Sequence, residues 1–398
     1  MTVPFWRRST SLERHDADAV VVGGGIVGLS AALELARRGM RVHLLERGTI
    51  GCGASTRNAG FLMRGCADHY ADAARLYGRE RARALWAFTE ENLADLRREG
   101  VEGLPGYRAT PSCLLALDAG QARELRGAHE MMVADGLGSA WIEPGDPGAG
   151  GDAVFASGVA AGGLVNAGDA AVQPAELIGM LAEKLRAAGA AIHEGAEVCS
   201  IAGDDRGVEV ATGSMLVHAS HAVLCTNAYG PALVPELSGL LTPRRGQMLA
   251  MEAEGRRLDR AYYANHGSEY FRQADERTIV VGGCRTYFAE QEVGTEDATT
   301  ASVQGALESF AARVLGGVVR VRARWAGIMA FTPDGLPIAG PIGPRLGPRV
   351  WMICACTGHG MSMGFRTARL GVAEMLGGER LGFGPERFGA IADRPSGS

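Results

Sequence analysis

Three glycines and one acid carry the clearest chemistry in this 398-residue sequence. Gly23, Gly25 and Gly28 are spaced G-x-G-x-x-G, and Glu46 stands eighteen residues beyond the last of them. In such a turn the first glycine permits a sharp reversal. The second, lacking Cβ, lets a pyrophosphate approach the backbone, and the third lets a helix pack closely on the preceding strand. Ile26 and Val27 lie where that helix opens, its unpaired N–H groups and positive dipole end toward the phosphates. A carboxylate at Glu46 can accept both hydroxyls of an adenosine ribose and repels a 2′-phosphate. The set reads as a site for an ADP-containing dinucleotide and does not separate NAD from FAD. A second stretch, residues 48–60, is rich in Gly, Ser, Thr and Asn. Its amides and hydroxyls suit a loop around a phosphate, and an ordinary surface loop has the same composition.

The elements that must position these groups are legible around them. Residues 20–22 are a valine run suited to a buried parallel strand. Leu29, Ala32, Leu33 and Ala36 share one helical face, and Gly39 is placed to end that helix. Residues 41–45 form the strand that delivers Glu46. Residues 70–99 read as one or two helices, with Ala82, Leu85, Trp86, Leu93 and Leu96 as the apolar stripe. Residues 143–152 read as a loop. Gln173 and Pro174 open a helix whose apolar face is Leu177, Ile178, Leu181 and Leu185. Val198 starts a further strand, residues 208–225 read as strands, and residues 350–354 as another. A final helix begins at Thr357-Gly-His-Gly-Met and runs to Met375. Residues 1–17 read as a polar leader.

Strand–GxGxxG–helix–strand–Glu46-Arg47, followed by Ile-Gly-x-Gly-Ala-Ser-x-Arg-Asn-x-Gly at 50–60, resembles the FAD-dependent amine and amino-acid oxidoreductases of the D-amino-acid oxidase, glycine oxidase and sarcosine oxidase superfamily. It is most like the γ-glutamylputrescine oxidase-like branch. Trp325-x-Gly327 followed by Thr332-Pro-Asp, then Thr357-Gly-His-Gly, resembles the family's third signature. The resemblance implies FAD and a two-domain α/β fold. A Rossmann-type FAD domain with a parallel sheet is expected from residues 1–85, 165–235 and 325–398. A substrate domain with an antiparallel sheet is expected from residues 86–164 and 236–324.

The resemblance also implies roles. Ala54, Ser55, Thr56, Arg57, Asn58, Ala59 and Gly60 would lie beside the flavin and the pyrophosphate. The Val198 backbone would contact adenine, and Thr226 and Asn227 would lie beside the ribose. Gly327, Gly358, His359, Gly360 and Met361 would flank the flavin, with the helix N-terminus stabilising negative charge at its pyrimidine end. His359, Arg272 and Tyr270 are the candidates for catalysis or substrate contact, with Arg244, Arg245 and Arg285 as further arginines. Members that attach flavin covalently use a cysteine at the position of Gly327 or a histidine at that of Arg57, so the expected FAD is non-covalent. Amino-acid oxidases of the family often place a carboxylate-binding arginine where Ile328 and Met329 stand. That favours an amine substrate, or a carboxylate held elsewhere. The lysine that speeds oxygen reduction in some oxidases has no evident counterpart near Val280.

The implied reaction is oxidation of an amine or amino acid to an imine by hydride transfer to flavin N5, with hydrolysis and peroxide formation. Alternatives are a dehydrogenase feeding a quinone or carrier protein, a flavin subunit of a larger complex, and a non-catalytic flavin-binding protein. Composition bounds the rest. The net charge of −5 gives no sign of nucleic acid or an anionic membrane. No apolar run approaches the roughly 20 residues that span a bilayer. Arg7-Arg8 lacks the apolar segment of an export signal. Eight scattered cysteines suit reduced thiols in a cytoplasmic protein. Cys354 and Cys356 read as buried strand residues, and no metal site is expected. An oligomer is compatible with the sequence.

Overall fold

The computed structural model describes residues 12–389, apart from Ala67 and Ala355. A mainly parallel sheet is built around β1 (Glu13–Val22). Its order is β17 (Ile338–Pro341), β18 (Val350–Cys354), β11 (Met215–Leu224), β1, β2 (Val42–Leu45) and β8 (Ala191–His193). The pairs β18–β11, β11–β1, β1–β2 and β2–β8 are parallel, and β17 runs antiparallel to β18. β10 (Val208–Thr212) and β9 (Val198–Gly203) add an antiparallel flap to β11. Because side chains alternate along a strand, Ala19 and Val21 face one core and Val20 and Val22 the other. The first core is closed by α1 (Ile26–Arg37), α6 (Pro174–Ala187) and α9 (Gly360–Met375). The second is closed by β9, β10 and residues 228–241, which include α7 (Gly230–Leu233).

The second sheet runs β16 (Val321–Phe331), β12 (Thr242–Glu252), β15 (Thr278–Gly283), β14 (Glu269–Asp275), β13 (Ala261–Ala264), β4 (Ser112–Ala116), β6 (Gly162–Asn166) and β5 (Ala140–Ile142). It packs on α5 (Ala153–Ala156) and α8 (Ala301–Leu315). It is mixed rather than wholly antiparallel: β13 and β4 pair in parallel, because they come from excursions far apart in the chain. β3 (Phe61–Leu62) and β7 (Ala170–Ala171) form a small ribbon. The helices α2 (Tyr70–Tyr77), α3 (Arg79–Arg98) and α4 (Ala119–Ala134) complete the fold.

Three of the expected boundaries cut continuous elements. That at 85/86 falls inside α3, whose Leu85, Trp86, Leu93 and Leu96 enter the same core as α1 and α9. That at 164/165 falls inside β6, and that at 324/325 inside β16, which stays paired with β12 through Phe331. The polar leader is corrected too. Residues 13–17 extend β1, paired with residues 215–219, since a half-exposed strand end tolerates polar residues. Residues 1–11 of that leader lie outside the described residues.

Candidate active site

One cavity of about 900 Å³ draws its walls from both sheets. At one end lies the turn between β1 and α1. Gly23 has φ +110, and a Cβ there would sit 2.6 Å from the Cys225 carbonyl oxygen. A Cβ on Gly28 would overlap the Gly23 carbonyl oxygen, so Gly28 serves packing, while Gly23, Gly25, Ile26 and Val27 line the cavity. Glu46 is buried. Its Oε2 accepts from Gly24 N at 2.7 Å and its Oε1 from Gly48 N at 2.8 Å. The Arg47 guanidinium lies 3.8 Å over the Tyr229 ring. Val198 and Thr226 also face this end. Asn227 adopts φ 47 and donates from Nδ2 to Ile328 O at 3.1 Å, tying the turn after β11 to β16.

The middle of the cavity is walled by residues 53–60. Ser55 Oγ accepts from Ile26 N at 3.0 Å, so this loop caps the start of α1. Asn58 Oδ1 accepts from Gly60 N at 2.7 Å. Arg57 donates to Cys52 O, Ala326 O and Asp297, and its Cβ backs onto Gly327. Ala54 and Ala59 line the wall, whereas Thr56 turns away and donates to Gly51 O.

At the far end the chain turns from β18 into α9 with Thr357 at φ 44 and Gly358 at φ +83. Gly360 and Met361 begin α9, where the first amides have no carbonyl partner within the helix. His359 Nδ1 lies 3.2 Å from Thr357 O. A carbonyl only accepts, so Nδ1 carries the proton and Nε2 is left as an acceptor. Burial pushes the His359 pKa down from its ordinary 6.5, so the ring is neutral at pH 7. Positive potential here therefore comes from the helix N-terminus rather than from His359.

The family pattern described as "FAD dependent oxidoreductase" matches residues 18–374. The chain belongs to this family of FAD-dependent oxidoreductases. Over 395 residues it is 28% identical to gamma-glutamylputrescine oxidoreductase of Escherichia coli (strain K12), covering 96% of this chain and 88% of that protein. It is 27% identical over 340 residues to glycine oxidase of Geobacillus kaustophilus (strain HTA426), covering 84% and 86%. The crystal structure of glycine oxidase from Geobacillus kaustophilus superposes with a TM-score of 0.76 at 23% identity, over 96% of this chain and 99% of that one. That likeness bears on the fold.

FAD fits this oxidoreductase's cavity on the chain's own features. Glycines stand where a Cβ would collide, a helix N-terminus opens at each end, and a buried acid closes the first strand pair. The substrate-side candidates divide. Tyr270 lines the cavity, and a Cβ on Gly282 would overlap its ring, so that glycine sets its place. Arg272, two residues along the same face of β14, is instead buried under the 59–60 loop. It donates to Ala59 O, to Val172 O at 2.8 Å and to Gln273 O at 3.0 Å. It welds the flavin-side loop to β14 and is not among the cavity's lining residues. Arg245 is spent on Glu292 (2.8 and 3.0 Å) and Arg244 on Ala289 O. Sequence reasoning missed Tyr263, His266 and Phe331, which line the same end. β13 reads Ala-Tyr-Tyr-Ala, with no alternation to single out Tyr263, and nothing local signals the other two.

Proposed function

We propose that the protein oxidises a primary or secondary amine bearing a carboxylate to an imine, which water hydrolyses, with oxygen as electron acceptor and hydrogen peroxide as product. The observation that carries the substrate class is Arg285. Its half-buried guanidinium lines the cavity and stacks 4.8 Å over the Phe331 ring. Among the described residues it has no hydrogen-bond or ion-pair partner. Burial, with Arg244 nearby, lowers its pKa, the mark of a desolvated cation short of an anion. A carboxylate supplies that anion in bidentate geometry. Arg285 thus offers, from the turn that follows β15, what Ile328 and Met329 do not offer from β16.

When bound, FAD supplies the two-electron oxidant, taking a hydride from the carbon beside nitrogen. The chain's residues orient the donor and manage its proton. Tyr263, Tyr270 and Phe61 form an aromatic wall, with ring centroids 5.2–6.2 Å apart, that excludes water. Burial pushes the Tyr270 phenol up to about 12, so it stays a donor. His359 Nε2 is the neutral acceptor for the proton an ammonium substrate must shed. Relatives named for glycine and for γ-glutamylputrescine support an amine or amino-acid donor. FAD held without a covalent bond is supported by Gly327 and Arg57 at the two attachment positions. Eight free cysteines support a cytoplasmic setting.

A dehydrogenase passing electrons to a quinone or carrier is the second reading. Its support is that the chain's single lysine, Lys184, sits on α6 in an ion pair with Glu99 at 3.4 Å, away from the cavity. The test is an anaerobic panel of amines and amino acids with the FAD-loaded protein, read by loss of flavin colour. Readmitting air should then give one peroxide per substrate, whereas slow reoxidation by air and fast reoxidation by a quinone support the dehydrogenase. Arg285→Met should raise KM for the acid-bearing donor roughly 10- to 100-fold, the worth of a charge-assisted hydrogen bond. It should leave the matching amine without a carboxylate unchanged. Equal effects on both donors would remove Arg285 as the anchor.

A further inference from the structure

Beside the cavity, four side chains from three separate segments converge on one point. His69 and Asp72 stand at the start of α2, three residues apart and so on one helical face. Glu124 comes from α4, and His266 from the turn between β13 and β14. His69 Nε2 is 2.9 Å from Asp72 Oδ2 and 3.4 Å from Glu124 Oε1, and Glu124 Oε2 is 3.7 Å from His266 Nε2. One ligand atom from each of the four residues can be chosen so that all lie within 4.8 Å of one another.

We propose that these four side chains form a binding site for a borderline divalent transition-metal ion of the zinc class. Zinc takes nitrogen and oxygen donors tetrahedrally at about 2.0–2.1 Å, which puts neighbouring donor atoms roughly 3.3–3.4 Å apart. The three separations of 2.9, 3.4 and 3.7 Å bracket that edge, and since all four donor atoms lie within 4.8 Å of one another, the remaining pairs close by side-chain shifts of about 1–1.5 Å. Two neutral imidazoles and two carboxylates carry a charge of −2, which a divalent ion cancels. The His69 ring is almost wholly enclosed, its side chain 3% exposed, so its partner must reach it inside the protein.

The surroundings are arranged as an outer shell arranges a metal site. Arg75 holds Asp72 Oδ1 at 2.5 Å, leaving Oδ2 for the ion. Gln121 donates to Asn265 Oδ1 at 3.1 Å, and Asn265 Nδ2 to Glu269 Oε2 at 2.6 Å. These bonds hold a turn in which Asn265, His266 and Gly267 all have positive φ (47, 55 and 79). Such backbone is costly and needs outside support. A small cavity of about 50 Å³ touches His69, Glu124 and His266, so these side chains have space in which to shift onto the ion. Binding has one local cost. His69 Nδ1 faces Asp72 N at 3.4 Å, and metal on Nε2 moves the ring proton to Nδ1 and opens that long contact.

The ion would pin α2, α4 and the 265–267 turn together. That turn also lines the main cavity, so the site would fix one wall of it. The inference stands independently of the reaction proposed above. The experiment uses the tag-free, FAD-loaded full chain, stripped with chelator and titrated with zinc chloride and separately with cobalt chloride. One zinc equivalent should survive gel filtration, and Tm should rise with zinc concentration, as binding to the native state requires. Glu124→Gln and Asp72→Asn, each with wild-type circular dichroism and FAD content, should weaken zinc binding at least 100-fold. Cobalt should give the visible bands of a tetrahedral nitrogen–oxygen site. No retained zinc, equal binding by wild type and both variants, or a cobalt–thiolate band that places the ion on cysteine would each overturn the proposal.

Discussion

Glu46 shows how much one side chain can be asked to do. Its two oxygens already accept from the Gly24 and Gly48 amides, and Cys52 Sγ lies 3.6 Å from Oε1. A carboxylate offers about four lone-pair positions, so it can brace both glycine loops and still receive a ribose hydroxyl. Glu46→Ala removes the brace and the ribose acceptor together. The affinity of the apoprotein for FAD should fall at least about tenfold, since each charge-assisted hydrogen bond is worth roughly 1.5–3 kcal/mol. Titrating apoprotein with FAD and following flavin fluorescence reads this directly, and an unchanged dissociation constant would contradict it. The acid and its spacing were legible in the sequence; its grip on Gly24 was not, because that contact depends on where two loops meet. The arginines teach the same lesson. Nothing in the linear order separates Arg272, which serves backbone carbonyls, from Arg285, which lines the cavity with no hydrogen-bond or ion-pair partner among the described residues.

Among the elements, those with explicit stop and start signals were read closely. Gln173 caps α6 by accepting from Glu176 N at 3.0 Å, and β18 and the start of α9 fall where valine, cysteine and the Thr-Gly-His-Gly turn put them. α4 went unread although Asp118 caps it, because its buried face is alanine-rich and gives a weak periodic signal. The start of β1 went unread because its pairing with β11, not its polar residues, makes it a strand.

That neighbourhood has a pH dependence. His15, His43 and His193, on the adjacent strands β1, β2 and β8, pack with ring centroids 5.0–5.8 Å apart, and His193 Nε2 lies 3.0 Å from His43 Nδ1. Burial first, then mutual repulsion, lowers the pKa of His43 and His193 below 6.5. Below about pH 6.5 the unfolded chain therefore binds more protons than the folded one, and stability falls as pH falls. Asp169 acts oppositely. Burial lifts its carboxyl from 3.8 to about 6, so protonating it favours the folded state over that interval. Comparing urea midpoints at pH 7.5 and 5.5 in wild type and His43→Gln isolates the histidines. The variant should lose less stability on acidification, and an identical loss would show that the histidines are not the cause.

At the scale of the molecule, the central sheet is stitched from distant parts of the chain. β1 ends at residue 22, its neighbour β11 begins at residue 215, and β18, on the far side of β11, ends at residue 354. A ribosome adding roughly 5–20 residues per second leaves the interval between β1 and β11 open for roughly 10–40 seconds. Throughout it, β1 has only β2 beside it, and its other edge of valine backbone is unpaired. Such an edge invites pairing with other chains. A polypeptide stopped at residue 214, lacking β11 and all that follows it, should stay in this state, pelleting on lysis and retaining no flavin. A soluble, yellow product of that length would show that the sheet closes earlier. For the full chain, the long separation of β1 from its partner makes biosynthesis the moment of greatest exposure. Its yield in a cell should therefore follow the supply of chaperones during translation more closely than the stability of the finished fold.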